Sequence, residues 1–204
     1  MGVLKVIFVG SFDVFDEAVA IAGVAPATRV CVLATAAAFQ GPREAIERVR
    51  ALLAPSGATI IGVEAISRAS ANDLAVVESV TSADLVVLVD GAVLHARSVW
   101  RGSELGAALA SVRLLAIGSV GSVLGETMID PRGGAPTTGL GLFDDVVLSV
   151  PAGAEQTQRT RGLLGRKLIL VELGPRSVVT FEGTWRVVAR DDLIVTRAGE
   201  PTSL

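Results

Sequence analysis

Short apolar runs alternate with longer amphipathic segments through the first two thirds of the chain, and this alternation constrains the fold more than any other feature. Five apolar runs have the length of a strand: residues 4–9, 29–34, 58–63, 84–89 and 113–117. Helix-length segments follow them at residues 14–23, 42–54, 71–80, 94–109 and 120–128. A repeated strand–helix alternation predicts an α/β fold with an open, doubly wound, mostly parallel sheet.

Residues at the helix starts support two of these segments. Pro42 stands in the first turn of the helix predicted over 42–54, where its missing N–H breaks no helical hydrogen bond. Ser70 or Asn72 is expected to cap the helix over 71–80, because a short polar side chain can accept an unpaired amide of the first turn.

The apolar composition fits strands that are buried on both faces. Hydrophobic residues make up 50% of the chain but aromatic residues only 4%, so small aliphatic side chains form most of the core. Such a core is typical of a parallel sheet covered by helices on both sides. Charged residues interrupt every apolar run before it reaches the about 20 residues of a bilayer span, so we expect no membrane segment. Lys5 inside the first run argues against a secretory signal.

The pattern changes after Asp130. Residues 131–141 are rich in turn-forming residues and predict a loop, which a strand over 145–150 and a polar helix over 154–164 follow. Four further β-like runs lie at 168–172, 177–181, 185–189 and 193–196. We expect them to be antiparallel strands that extend one edge of the sheet, within a single domain over residues 1–204.

The scarcity of histidine and cysteine excludes several kinds of site. His95 and Cys31 are the single residues of their types, so neither a multi-histidine metal site nor an internal disulfide can form. We therefore expect no bound metal and a reducing, cytoplasmic environment. The 18 basic and 21 acidic residues give a net charge of −3 without a long basic run, which argues against a nucleic-acid partner.

The loop after the fifth apolar run carries the best candidate for chemistry. In an open parallel sheet, ligands bind at the carboxyl ends of the strands, and Gly118 and Ser119 lie at such an end. A serine between small neighbours at a strand-to-helix turn is typical of a nucleophile elbow, with the amide of Val120 as an oxyanion donor. A plain Gly/Ser entry into a helix is the alternative. Neither a Walker loop nor a dinucleotide fingerprint is present, so we expect no cofactor.

Three stretches of the chain resemble one known family. They are residues 32–42, residues 83–103 and, most specifically, the run Met-Ile-Asp-Pro-Arg-Gly-Gly-Ala at 128–135 with Thr-Gly-Leu-Gly-Leu at 138–142. These motifs are similar to those of the cyanophycinase and peptidase E family of serine peptidases. The resemblance spans most of the chain and implies a flavodoxin-like fold, as in class I glutamine amidotransferases.

The resemblance also implies roles for individual residues. Ser119 stands at the family's nucleophile, although Ser-Val-Gly-Ser replaces Ser-Ala-Gly-Ala at 119–122. Asp90, Gly91 and Ala92 stand at the family's Gly-Gly-Asp oxyanion loop, so the backbone of Gly91 is retained and the polar side chain is lost. The family's histidine base corresponds to Ala152, and Glu172 is similar to its third carboxylate. The usual base is therefore missing.

Other side chains could contribute to the crevice. Asp90 and Arg132 are the candidate substrate-binding residues, because arginine pairs well with a carboxylate and Asp90 lies at a strand end. Arg132 could equally brace its own loop. Neither the spacing nor the family position of His95 places its ring within hydrogen-bond reach of Ser119. Cys31 lies between valines in a strand and is expected to be inert core.

Two functions remain open at this point. In the first, the chain is a non-catalytic or strongly impaired homologue that binds a small peptide or metabolite at the carboxyl ends of the strands, with a homodimer as a further expectation. In the second, Ser119 hydrolyses small acidic peptides, of Asp-X or isoaspartyl type, with an unconventional base. The loss of several functional positions together favours the first.

Overall fold

A computed structural model describes residues 4–204 and contains a central sheet with five parallel strands. These strands lie in the order β1 (Lys5–Val9), β5 (Arg113–Ile117), β4 (Leu85–Leu88), β2 (Arg29–Leu33) and β3 (Thr59–Val63). Each lies within one residue of its predicted bounds. The order places β4 and β5 side by side, which brings the loops after them together.

Helices cover both faces of the sheet. They are α1 (Phe15–Ala22), α2 (Pro42–Leu53), α3 (Leu74–Thr81), α4 (Val93–Trp100) and α5 (Glu104–Leu109). A further helix, α6 (Ala154–Leu163), lies in the C-terminal part of the chain. Helices α1 and α2 pack against one face, and α3 to α5 pack against the other. Residues alternate between the faces along a strand: Val6 and Phe8 of β1 point to the second face, Ile7 and Val9 to the first. The predicted doubly wound α/β fold is confirmed.

The single helix predicted over 94–109 is wrong. Arg101 is extended and Gly102 has a φ of 69°, so the chain turns out of α4 before it enters α5. The Ser103 side chain accepts the amide of Gly106 and caps α5. Arg68 donates to the carbonyls of Ser98 and Gly102, which satisfies acceptors that a continuous helix would have used internally.

The cap predicted for α3 is also wrong. Asp73 is the N-cap, because its carboxylate accepts the amide of Ala75 at 2.9 Å. Ser70 and Asn72 lie in the preceding 3₁₀ turn instead. The Asn72 side-chain oxygen accepts the amide of Glu104 at 3.0 Å, so it serves the start of α5.

Residues 120–128 do not form the predicted helix. Gly118–Leu124 is a 3₁₀ segment, and a hairpin of β6 (Thr127–Ile129) and β7 (Pro136–Thr138) follows, partly within the region predicted as a loop. The carbonyls of Val123 and Leu124 each accept an amide of the segment 140–142 at 2.8 Å. Because these carbonyls are engaged by another segment, an α-helix cannot continue here.

The C-terminal strands divide between two sheets, so the expectation that all of them extend one edge is wrong in part. β10 (Ser177–Glu182) and β11 (Trp185–Arg190) extend the central sheet beside β1 as antiparallel strands. A second sheet contains β8 (Val146–Ser149), β9 (Ile169–Glu172), β12 (Ile194–Arg197) and β13 (Glu200–Pro201). β9 pairs in parallel with β8 and therefore belongs to the second sheet. The chain returns to the central sheet only after Gly174, with β10.

Trp100 anchors the face that carries α3 to α5. It is fully buried, and its indole N–H donates to the hydroxyl of Thr35 at 3.1 Å. That hydroxyl donates in turn to the carbonyl of Ala65. The polar end of a large core residue is therefore satisfied inside the protein, at the carboxyl end of β2. None of the helices described here is both long and apolar enough for a membrane crossing.

Candidate functional site

Asp90 and Ser119 meet where two neighbouring strands end. Asp90 follows β4, Ser119 follows β5, and the register pairs Leu88 with Ala116. Because the strands are parallel, the loops after both of them emerge at the same edge of the sheet. The structure thus brings together two residues that the sequence places 29 positions apart.

One carboxylate oxygen of Asp90 gathers three hydrogen-bond donors. Oδ1 accepts the Ser119 hydroxyl at 2.5 Å, the Ser119 amide at 2.9 Å and the Gly91 amide at 2.8 Å. An oxyanion formed during acyl transfer needs donors of this kind, converging on one oxygen. At Gly91, the predicted oxyanion donor, the amide is therefore already engaged by the side chain of the preceding residue.

Gly118 lets the two loops approach this closely. Its φ is 66°, a backbone conformation that residues with a side chain rarely adopt. A Cβ built there would lie 2.3 Å from Oδ2 of Asp90, so even alanine would collide with the carboxylate. The glycine before the serine was visible in the sequence, but its role is to make room for Asp90.

Val120 lies at the start of the 3₁₀ segment, where a longer helix was predicted. Its side chain is fully buried, which makes the turn part of the core. The Ser122 hydroxyl donates to the carbonyl of Ser119 at 2.7 Å and fixes the turn from the other side. A rigid turn of this kind holds the Ser119 hydroxyl in one place. The oxyanion role of the Val120 amide stays a prediction.

His95 and Ser119 share a cavity, although the His95 ring is engaged elsewhere. Both residues line one open cavity of about 460 Å³. The Nε2 atom of His95 lies 2.9 Å from the carbonyl oxygen of Ile66, and the ring packs edge-on against Phe39 at 4.9 Å between centroids. The Ser119 hydroxyl donates to Asp90 instead.

Arg132 reaches the same cavity from the loop between β6 and β7. Its backbone amide donates to Asp130 at 2.8 Å, which holds the loop in a tight turn. No carboxylate lies within 4.0 Å of its guanidinium in the part of the chain that the structure describes. An exposed, unpaired arginine beside Ser119 is suited to a ligand carboxylate.

Ala152 stands where the sequence resemblance predicted a histidine base, and alanine has no group that could accept a proton. Ala152 is exposed in the segment between β8 and α6. The carboxylate of Glu172, at the end of β9, is 2% exposed and is bound by Arg161 through two nitrogens, at 3.0 and 2.5 Å. No sequence pattern pointed to this pair, because the polar pattern of α6 does not single out Arg161. Its guanidinium supplies the partner that a buried carboxylate requires.

Cys31 is excluded as a second nucleophile. It is fully buried in β2, and burial raises the pKa of its thiol to about 12. A thiol with that pKa carries almost no thiolate near neutral pH. The prediction that Cys31 is inert core agrees with this environment.

A second cavity is lined by Asp90. It has a volume of about 490 Å³ and lies between the loops after β1, β2 and β4. Phe12, Gln40, Glu44 and Arg48 contribute side chains to its wall, together with Asp90 itself. Asp90 lines this second cavity, and the next residue, Gly91, lines both cavities at the carboxyl edge of the sheet.

No family model matches the chain, and no curated protein matches it either. Two solved structures are similar to it over nearly their whole lengths. A peptidase from an acI-B1 actinobacterium is 20% identical, with a TM-score of 0.74, over 99% of this chain and 97% of its own. A candidate peptidase E protein from Listeria monocytogenes EGD-e is 13% identical, with a TM-score of 0.63, over 96% and 99%. The chain therefore has the fold of these two proteins, as the sequence motifs predicted.

Proposed function

We propose that the chain is a peptidase E-type homologue with lost or strongly impaired catalysis, which binds a small peptide or metabolite at the carboxyl edge of the sheet. The observation that carries the proposal is the position of Asp90. Its carboxylate engages the hydroxyl and the amide of the candidate nucleophile, and it engages the amide of Gly91, which would stabilise an oxyanion. Ligand binding draws on the cavity that Ser119 and Arg132 share.

Electrostatics opposes acyl transfer at this site. An oxyanion about 4 Å from the Asp90 carboxylate would be destabilised by about 1 to 4 kcal/mol, depending on the local dielectric. The missing imidazole at position 152 removes general-base help that is worth about 10²- to 10⁴-fold. The two effects act in the same direction, so a strongly reduced rate follows.

One observation favours a second function, hydrolysis with Asp90 as the base. The Ser119 hydroxyl already donates to the carboxylate at 2.5 Å, which is a short hydrogen bond. If Asp90 accepted the proton during attack, it would become neutral and the repulsion would fall. A carboxylate is nevertheless a much weaker base than an imidazole for an alcohol.

An activity assay separates the two functions. Wild type, Ser119→Ala and Asp90→Asn are incubated with Asp-X, isoaspartyl and β-aspartyl-arginine dipeptides, and the released amino acids are measured. We expect no turnover that depends on Ser119. Turnover that both substitutions abolish would establish the hydrolase with Asp90 as base and overturn the proposal.

A binding assay tests the positive part of the proposal. Binding of the same dipeptides is measured by calorimetry with wild type, Arg132→Met and Arg159→Met. Arg159 is an exposed residue of α6 outside the cavity and serves as the matched control. We expect Arg132→Met to weaken binding about 10-fold, since a charge-assisted contact is lost, and Arg159→Met to leave it unchanged. Equal binding by all three proteins would refute a role for this cavity.

A further inference from the structure

The cavity between the loops after β1, β2 and β4 is separate from the one that Ser119 lines. Its volume of about 490 Å³ lies within the range of about 300 to 1,000 Å³ that is usual for small-molecule sites. Three charged side chains reach it: Glu44 and Arg48 from α2, and Asp90 from the loop after β4. None of the three forms an ion pair with another described residue.

Arg48 is held in place without a carboxylate partner. Its guanidinium carbon lies 3.9 Å from the centre of the Phe12 ring, so the cation stacks on the aromatic face. Glu44 stands one helical turn before it, a spacing at which glutamate and arginine usually attract each other. Instead, the Glu44 carboxylate turns back over the start of α2, where a Cβ on Gly41 would lie 2.4 Å from Oε2. Glu44 and Arg48 therefore form no ion pair with each other, although both residues line the cavity.

Asp90 supplies a second carboxylate. Its Oδ1 atom is saturated by three donors, while Oδ2 accepts no recorded hydrogen bond from residues 4–204. The lining charges are therefore two carboxylates and one guanidinium, which sum to −1 at neutral pH. A complementary ligand carries one carboxylate and two cationic groups.

We infer that this cavity binds a free basic amino acid, with its carboxylate on Arg48 and its ammonium groups on Glu44 and Asp90. Phe12 orients Arg48, and Gln40 lines the rim as a neutral donor and acceptor. The inference goes beyond the proposed function, because it assigns a ligand class to a cavity that Ser119 and Arg132 do not line.

Calorimetric titration with L-lysine tests the inference. Wild type is expected to bind L-lysine, and to bind L-lysine amide and Nα-acetyl-L-lysine about 10-fold more weakly, because each derivative lacks one charge of the amino-acid end. Arg48→Met is expected to reduce L-lysine affinity by about 10-fold or more and to abolish the difference between L-lysine and its amide. Thermal unfolding of the variant verifies that it folds.

Matched variants locate the site. Arg43 also lies on α2, but it pairs with Glu64 outside the cavity, so Arg43→Met is expected to bind L-lysine like wild type. Arg132→Met is expected to do the same, which distinguishes this site from the one in the proposed function. The inference is overturned if L-lysine does not bind, if Arg48→Met binds it unchanged, or if Arg132→Met loses it.

Discussion

Removing the Asp90 carboxylate should lower the free energy of unfolding, because the protein loses the three hydrogen bonds that its Oδ1 atom accepts. Hydrogen bonds to a charged group contribute about 1.5 to 3 kcal/mol each in protected surroundings. Asp90 is exposed, so solvent and salt screen these contacts, and we expect Asp90→Ala to lower the free energy of unfolding by about 1 to 3 kcal/mol in total. For a domain of this length, that loss lowers Tm by about 2 to 12 °C.

Asp90→Asn refines the expectation. Asparagine retains a carbonyl oxygen that can accept the Ser119 hydroxyl and the two amides, but it lacks the charge. We therefore expect it to lose about half as much stability as Asp90→Ala. Stability should therefore decrease in the order wild type, Asp90→Asn, Asp90→Ala, as expected when several donors share one anionic acceptor.

Urea unfolding at equilibrium measures both variants, with the fluorescence of Trp100 and Trp185 as the signal. Asp144→Ala is the matched control, because Asp144 is an exposed loop aspartate whose side chain makes no recorded hydrogen bond among residues 4–204. Unfolding slopes should be equal, so that midpoints report stability directly. If Asp90→Ala matches Asp144→Ala or exceeds wild type in stability, the Asp90 contacts do not hold the loops together.

Three further predictions concern the core and the glycines. Cys31 should not react with a colorimetric thiol reagent until urea unfolds the chain. Burial raises the pKa of its thiol from 9.0 in the unfolded chain to about 12 in the folded protein. The stabilising contribution of the buried neutral thiol should therefore be complete below pH 9 and should be lost as the pH rises toward 12, as measured by alkaline denaturation. Arg161→Met should lower the free energy of unfolding by about 3 kcal/mol in urea, since it leaves the Glu172 carboxylate buried without a partner. The double variant with Glu172→Leu should regain most of that stability. If it regains none, the loss does not have an electrostatic cause. Gly106→Ala should lower the free energy of unfolding by more than about 2 kcal/mol, because its Cβ would lie 2.0 Å from the backbone carbonyl oxygen of Trp100. Gly162→Ala, whose Cβ would have no atom within 4 Å, should leave stability unchanged or raise it by up to about 1 kcal/mol in the same assay.

The parallel strands were predictable because burial on both faces leaves a continuous apolar run in the sequence. β5 coincides with its prediction at residues 113–117, and β4 is one residue shorter at each end. Helix boundaries were less predictable where tertiary contacts override local preference. The turn at Gly102 depends on Arg68, 34 residues earlier, and a local pattern contains no information on such a partner.

The residues of the candidate site could be singled out from the sequence, but their arrangement could not. Sequence motifs singled out Ser119, Gly91, Asp90 and Arg132, and each of them lies at one of the two cavities at the carboxyl edge of the sheet. The hydrogen bond between Asp90 and Ser119 could not be foreseen, because it requires β4 and β5 to be neighbours. Strand order follows from the packing of all the helices and is not encoded in any one loop.

The Asp90 carboxylate competes with any bound anion for the amides of Ser119 and Gly91, because it is covalently attached to the protein and already accepts both. Any ligand oxygen that binds the amides of Ser119 and Gly91 must first displace it, and the tether keeps its effective concentration constant. A displacement free energy of about 1 to 3 kcal/mol weakens such a ligand by about 5- to 150-fold. Only ligands whose remaining contacts contribute more than that free energy can bind these amides. Asp90 therefore excludes weakly bound anions from the amides of Ser119 and Gly91.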